Sequence, residues 1–190
     1  MSSPDAADES AWQRELLAVA RRSIEVGLQT GEPLRVDAAD QPAELGRPCA
    51  SFVTLRRSGA LRGCLGSLTA SRPLISDVAH NAFGAAFRDT RFPPLEPEEL
   101  VDLDIHISVL SPPEPLPVSS ESELIDALRP GVDGLVLRDG ARQGTFLPSV
   151  WESVPEPAEF LRELKQKTGL PVNAWSSSWQ VFRYTTESIP

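Results

Sequence analysis

Residues 58–68 read SGALRGCLGSL. Arg62 and Cys64 stand two apart in this stretch, with Gly63 between them and Gly66 just beyond. On a strand, side chains at i and i+2 share a face. Arg62 and Cys64 are therefore expected on one side and Leu61 and Leu65 on the other. A guanidinium beside a thiol favours the thiolate, which is the nucleophilic form. Gly63 and Gly66 leave backbone N–H groups uncovered, so a ligand or an oxyanion could approach them. The pattern suits a reactive cysteine. It also suits a small buried residue between closely packed elements, because free cysteine is among the most buried residue types and strand glycines often mark close approach.

Two other places hold polar groups of the right kind. His106 alternates with Asp102, Asp104 and Ser108 in VDLDIHISVL. It could serve as general base for a thiol, oriented by a carboxylate, or it could be a satisfied residue on a sheet face. In FRDTRFPPL, Asp89 and Arg91 flank a helix end. They read either as an ion pair that fixes the turn or as part of a ligand site with Arg91 as an anion clamp. A disulfide between Cys49 and Cys64 is not expected. The hairpin register places Cys64 opposite a residue close to Val53, so Cys49 lies about 10 Å or more along the strand, beyond bridging range. The two cysteines and two histidines are too scattered for a zinc site, and neither a phosphate loop nor a dinucleotide fingerprint occurs. No metal and no cofactor are expected.

The elements that must hold these residues follow from the rest of the chain. Its 190 residues suffice for a real core, and 41% hydrophobic with 24% charged residues is an ordinary globular composition. No apolar run is long enough for a membrane helix, so no membrane partner is expected. MSSPDAADES is acidic and does not read as a secretory signal; with only two cysteines this suggests a cytoplasmic, reducing setting. A net charge of −9 argues against nucleic acid as a whole-surface partner.

Residues 1–9 are expected to be a disordered tail. Apolar positions from Trp12 to Leu28 predict a helix ended by Gly31, followed by a proline-rich connector to Pro48. A hairpin turns at Ser58-Gly59. Ser71 and Pro73 open a second helix with Leu74, Ile75, Val78, Ala82, Phe83 and Ala86 on its apolar face. Residues 101–110 alternate as a strand, with Val101 on the buried side. A short helix covers 120–128. GLVLRDGARQGTFLPSV then resembles the first hairpin: Leu137-Arg138 matches Leu55-Arg56, Gly140-Ala141 matches Gly59-Ala60, and Gly144 matches Gly63, with a turn one residue shorter. A helix over 156–167 and a strand over 179–184 complete a second hairpin–helix–strand unit. The fold class is α+β, mostly antiparallel, in two lobes of about 10–111 and 112–190 that pack intimately as one domain, with a possible internal duplication. Where the first copy has Arg62 and Cys64, the second has Gln143 and Thr145. The scaffold alone therefore does not demand an arginine and a thiol there.

FVTL, LRGCLGSL, AAFRDTRFPPL, ISVLSPPEP, FLPSV and KTGL occur in the order and spacing of the AMMECR domain family, whose bacterial members are called AmmeMemoRadiSam system protein A. The resemblance covers nearly the whole chain. It implies a two-lobed α+β fold with the signature stretch facing a cleft. It also implies Memo-type and radical SAM proteins as partners, since members are often encoded beside them or fused to them. No activity is settled for the family; modification of a nucleobase or another small aromatic substrate is among the roles suggested. Carried over by position, Leu61, Arg62, Gly63, Cys64 and Gly66 form the signature, with Asp89, Arg91 and Phe92 in a second motif. Thr90 stands where the family commonly has proline, which predicts a looser turn. Ser149 stands where glutamine is common.

Two function classes are thus open. One is an enzyme with Cys64 as nucleophile or covalent carrier, Arg62 as its cation and His106 or water as proton acceptor. The other is a non-catalytic module that binds a small-molecule ligand or those partners, with Gly63, Gly66, Asp89 and Arg91 lining the site.

Overall fold

A computed structural model describes residues 5–37, 39 and 41–190, with side chains from Ala11 onward. The chain divides into two compact units, one running through Leu110 and including Glu187–Pro190, the other Ser111–Thr186. The last residues of the chain thus return to the first unit. Of the tail expected over 1–9, residues 1–4 lie outside the described residues, and helix α1 (Asp5–Thr30) starts at Asp5.

In the first unit, α1 is followed by the one-turn helix α2 (Ala43–Gly46) within the connector. Strands β1 (Ser51–Arg57) and β2 (Ala60–Gly66) form the hairpin. Ser58 and Gly59 have φ of 51° and 79°. Both central residues are left-handed, which is the two-residue turn whose twist suits a hairpin. Pro73 occupies the N-cap position of helix α3 (Leu74–Phe87), which has no side-chain cap, so Ser71 does not cap it as expected. A 3-10 turn over Pro97–Asp102 leads into β3 (Leu103–Leu110). That strand is shorter than the alternation predicts. Glu96 and Glu99 close a capping box on the turn, so the chain is not extended at Val101, which is 92% exposed. Val53, Leu55 and Ile107 are buried on one sheet face in a single cluster with Leu16 and Ile24 of α1 and Ile75 and Val78 of α3.

The second unit contains β4 (Glu114–Pro115), α4 (Glu121–Ala127, capped by Ser120), the hairpin β5 (Gly134–Asp139) and β6 (Arg142–Phe146), a 3-10 turn over Pro148–Glu152, α5 (Pro157–Thr168) and β7 (Gln180–Tyr184). Gly169, at φ 75°, ends α5. Its core gathers Leu135, Leu137, Phe160, Leu164 and Trp151, the last stacked on Phe160 at 3.8 Å. A strand not foreseen in the sequence, β8 (Thr186–Ile189), joins the first sheet.

The sheet orders are β2-β1-β3-β8 and β4-β7-β5-β6. Hairpin, helix and third strand recur with the same neighbours, β2-β1-β3 against β6-β5-β7, and the pairing is antiparallel throughout. The repeat extends to detail. Leu55 pairs with Gly63 and Leu137 with Gly144. Each glycine lies where the following helix crosses its strand: a Cβ on Gly63 would come within 2.1 Å of the Ala85 carbonyl oxygen, and one on Gly144 within 2.1 Å of Thr168 Oγ1.

The one-residue difference between the copies is not in the turn. Both turns have two central residues, Ser58-Gly59 and Gly140-Ala141, between the pairs Arg57–Ala60 and Asp139–Arg142. The extra residue sits in β2. Leu55 faces Gly63 while Arg56 faces Leu61, so Arg62 is a β-bulge without a partner on β1.

Candidate functional site

The bulge decides where the thiol points. With an unbroken ladder, the Ser58-Gly59 turn would pair Cys64 with Val53, which is fully buried in the core. The inserted Arg62 shifts the register by one, and Cys64 pairs with Thr54. A one-residue shift moves a side chain to the opposite sheet face. Cys64 is thus half-buried on the face away from α3, with its Sγ 3.3 Å from Thr54 Oγ1. Gly63 and Leu65 point the other way: a Cβ on Gly63 would meet Ala85, and Leu65 packs against Gly84.

The bulge also breaks the i, i+2 relation expected between Arg62 and Cys64. Arg62 gives Nε and Nη2 to the Glu99 carboxylate at 2.7 and 2.8 Å. Its Nη1 is buried without a hydrogen-bond partner, and its guanidinium lies 6.0 Å from the centre of the Phe92 ring. Glu99 also receives Arg57 Nη1 at 3.3 Å and the Glu96 N–H at 2.9 Å. Arg62 is thereby a strut between the bulge and the 3-10 turn, beside a hollow of about 320 Å³ at the hairpin tip.

The Glu99 carboxyl is held down to about 2, chiefly by its hydrogen bonds from Arg62, against burial that pushes it up, with help from the Glu96 N–H and the charges of Arg62 and Arg57. A depressed carboxylate stabilises the fold above its unfolded value near 4.5, and that contribution is lost as pH falls towards 2. Glu99→Gln is expected to flatten the acid limb of stability between pH 5 and 2, removing at most about 3 kcal/mol of pH-dependent stability. Denaturant unfolding at several pH values measures this. An unchanged acid limb in the variant would mean that the pair adds nothing.

His106 pairs with Thr54 across β1 and β3. Cys64, Thr54 and His106 therefore form a row across three strands, with Thr54 in the middle. Two strand spacings put His106 about 10 Å from Cys64. His106 instead lines a groove of about 500 Å³ with Asp104, Leu17, Arg21 and Pro190.

The second motif does reach the thiol-bearing residue. Asp89 Oδ2 accepts the Cys64 N–H at 2.9 Å and Arg91 Nη2 at 2.7 Å, while Oδ1 accepts Arg91 Nε at 2.9 Å and the Arg91 N–H at 3.2 Å. The Phe92 N–H also returns to the Asp89 carbonyl at 3.1 Å. These bonds close the turn with Thr90 in place of proline. The Asp89 carboxyl is only 7% exposed and is held down to about 2, first by the Arg91 hydrogen bonds, against burial, and then by the Cys64 and Arg91 N–H groups.

Gly66 pairs with Phe52, whose ring covers it so closely that a Cβ there would lie 2.2 Å from the ring. The Ser67 N–H turns inward to the Ser51 carbonyl and the Cys64 N–H turns outward to Asp89. Along an antiparallel strand these directions alternate, so the Gly66 N–H and the Cys64 carbonyl both point away from β1 at the sheet edge.

Sequence reasoning missed Thr54, because the bulge that brings it opposite Cys64 has no signature. It also missed a buried cluster behind the signature stretch. Asp77 is fully buried and accepts the Ser51 N–H and Oγ, Asn81 Nδ2 and Ser67 Oγ, at 2.7–3.0 Å. The available signal was a polar pair at i, i+4, Asp77 and Asn81, on an apolar helix face. Among the described residues no cluster of His, Cys, Asp and Glu is arranged to hold a metal ion, and no helix is long and apolar enough to cross a membrane.

Comparison with known proteins gives one consistent match. The AMMECR1 family matches residues 17–189. A protein of Methanothermobacter thermautotrophicus is 38% identical over 180 residues, spanning 92% of this chain and 91% of its own length. One of Thermotoga maritima is 36% identical over 170 residues, spanning 88% and 92%. Among solved structures, the crystal structure of the uncharacterized protein PH0010 from Pyrococcus horikoshii superposes with a TM-score of 0.87 at 36% identity, covering 94% of this chain and 90% of that one.

Proposed function

The chain belongs to the AMMECR1 family, and on that premise we propose that it modifies a small aromatic or nucleobase-like substrate through Cys64, together with Memo-type and radical SAM partners. The observation that carries this reading is the bulge at Arg62. It takes a cysteine out of core register and sets its half-buried thiol beside a hydroxyl on the sheet face away from α3. A filler residue gains nothing from that. Cys64 acts as nucleophile or covalent carrier and releases its proton to water, since His106 stands one strand beyond Thr54. The outward Gly66 N–H and Cys64 carbonyl offer a donor and an acceptor side by side, which suits the in-plane amide edge of a planar heterocycle.

Limited iodoacetamide treatment followed by mass mapping tests the thiol. Cys64 is expected to alkylate faster at pH 7 than glutathione does. Cys49 serves as the internal control: burial pushes its thiol pKa up, and its Sγ lies 3.4 Å from the Leu110 carbonyl. A Cys64 rate at or below that of the free thiol would remove the reading.

The second reading, a non-catalytic module that binds the same partners, draws on a different observation. Arg62 is spent on Glu99, and the His106 backbone stands two strand spacings, about 10 Å, from that of Cys64, with no hydrogen bond between the two among the described residues. A Cys64→Ser protein that keeps full complex formation and full cellular function would favour this class.

A further inference from the structure

We propose that the groove beside Pro190 is a separate binding site, for a small zwitterion of the α-amino-acid type with an apolar side chain. It stands independently of any role for the thiol. The groove has a volume of about 500 Å³ and joins Leu17 and Arg21 of α1 to Asp104, Ile105 and His106 of β3. A concave site with apolar walls and a few converging polar groups is the usual form of a small-molecule site.

The charges of this groove come from two sides of one strand. Arg21 gives Nη1 to the Leu100 carbonyl at 3.2 Å and Nη2 to the Leu103 carbonyl at 3.0 Å. These bonds pin the guanidinium at the start of β3 without answering its charge, for Arg21 is paired with no carboxylate among the described residues. The Leu103 carbonyl is joined directly to the Asp104 nitrogen, so Nη2 lies within about 5.6 Å of that nitrogen. The Asp104 carboxylate nevertheless does not meet it. Leu103 and Ile105 are buried in one cluster with Leu16 and Ile24 of α1, and Asp104 alternates with them, so its side chain stands on the opposite sheet face. Its neighbour across β1 is Arg56, which turns its Nη1 to the Gly59 carbonyl at 3.2 Å. Asp104 is exposed and has no side-chain partner among the described residues. His106, two residues on along the same face, is half-buried and equally without one. The groove runs round the β3 edge between these two sides, beside Pro190 where β8 ends.

A cation and an anion that share a groove without meeting are complementary to a ligand that carries both charges. The carboxylate of an α-amino acid accepts the N–H groups that Arg21 does not give to the backbone. Its ammonium donates to Asp104 and to a neutral His106. Its apolar side chain lies against Leu17 and Pro190. A simple amine leaves Arg21 unanswered and meets its charge, and a simple acid does the same with Asp104, so each half of the zwitterion is also selected against when alone.

The experiment is a titration of the full chain with L-leucine, followed by two-dimensional amide NMR. Saturable shifts are expected at residues 103–106. N-acetyl-L-leucine lacks the ammonium and L-leucinamide lacks the carboxylate, and each is expected to bind at least about tenfold more weakly. Asp104→Asn is expected to weaken L-leucine about tenfold at an unchanged melting temperature, since the side chain is exposed and unbonded. Arg21→Gln is expected to weaken it by a similar factor, with its amide spectrum as the check on folding. Cys64→Ser is expected to bind L-leucine as wild type does, which keeps this result separate from the fate of the reactive-thiol reading. An absence of saturable shifts up to about 10 mM L-leucine overturns the inference. So does saturation at residues outside the groove, an affinity unchanged in Asp104→Asn, or equal binding of N-acetyl-L-leucine.

Discussion

Gly63→Ala is expected to be the most destabilising single-methyl change in the first unit, costing about 3 kcal/mol or more. The added Cβ would sit 2.1 Å from the Ala85 carbonyl oxygen and 3.0 Å from its carbon. Both are helix backbone, so relief requires α3 to move off the sheet. That helix cannot shift cheaply. Its Asp77 is tied to Ser51 at the start of β1 and to Ser67 just past β2, and the Ala86 carbonyl at its far end accepts the Leu95 N–H at 2.9 Å. Gly144→Ala is the natural control. Its Cβ would meet Thr168 Oγ1, a side-chain hydroxyl that can rotate after giving up its 2.7 Å bond to the Leu164 carbonyl. The expected cost there is about 1–2 kcal/mol. Urea unfolding of both variants measures the contrast. A Gly63→Ala protein as stable as wild type, or less affected than Gly144→Ala, would show that the helix crossing is not the constraint.

The same glycines show how far the sequence could be read. Periodicity and turn residues were enough for every long helix, both hairpins and the repeat, because those features are local. The recurrence of Leu-Arg, Gly-Ala and Gly was a real trace of equivalent positions, since Gly63 and Gly144 occupy the same place under their helices. What local pattern could not supply was the ladder itself. A bulge costs one residue and has no compositional mark, so the sequence alone puts the extra residue in the turn and Arg62 beside Cys64. Strand β8 was missed because TESI is short and half polar. It pairs only because the chain end returns to β3. Val101 fits an alternating pattern that the capping box of Glu96 and Glu99 overrides.

At the site, residue types were legible and partners were not. Asp89 and Arg91 are open in the sequence to two readings, an ion pair that fixes a turn or a ligand site with Arg91 as anion clamp, and the structure shows the ion pair. That the same carboxylate takes the backbone N–H of Cys64 is a contact across 25 residues, which no spacing rule reports. Arg62 was singled out as a cation, yet its acid, Glu99, lies 37 residues away. Which polar group each side chain bonds is therefore the step that needed coordinates.

The two copies are expected to divide the work, and paired substitutions test it. Cys64→Ala should abolish cellular function and leave melting nearly unchanged, whereas Thr145→Val should do the reverse. Val136 and Thr145 occupy the places of Thr54 and Cys64. In the second copy that position is filled and bonded: Thr145 Oγ1 reaches the Leu135 carbonyl at 2.9 Å and the Tyr184 hydroxyl at 2.8 Å. Tyr184 is 2% exposed and packs over Gly134, and burial pushes its phenol up to about 12. Valine would strand part of that network, though Tyr184 keeps the Phe146 carbonyl at 3.1 Å, so the expected cost is about 1–2 kcal/mol. In the first copy the equivalent position holds a half-buried thiol with one weak contact, to Thr54. Removing it leaves a hydroxyl that water can satisfy, for a loss below about 1 kcal/mol. Thermal melts of both variants, paired with complementation of a strain deleted for the gene, decide the matter. A Cys64→Ala protein that melts far lower and still complements would make the thiol part of the packing, and a Thr145→Val protein that fails to complement while melting normally would move the chemistry to the second copy.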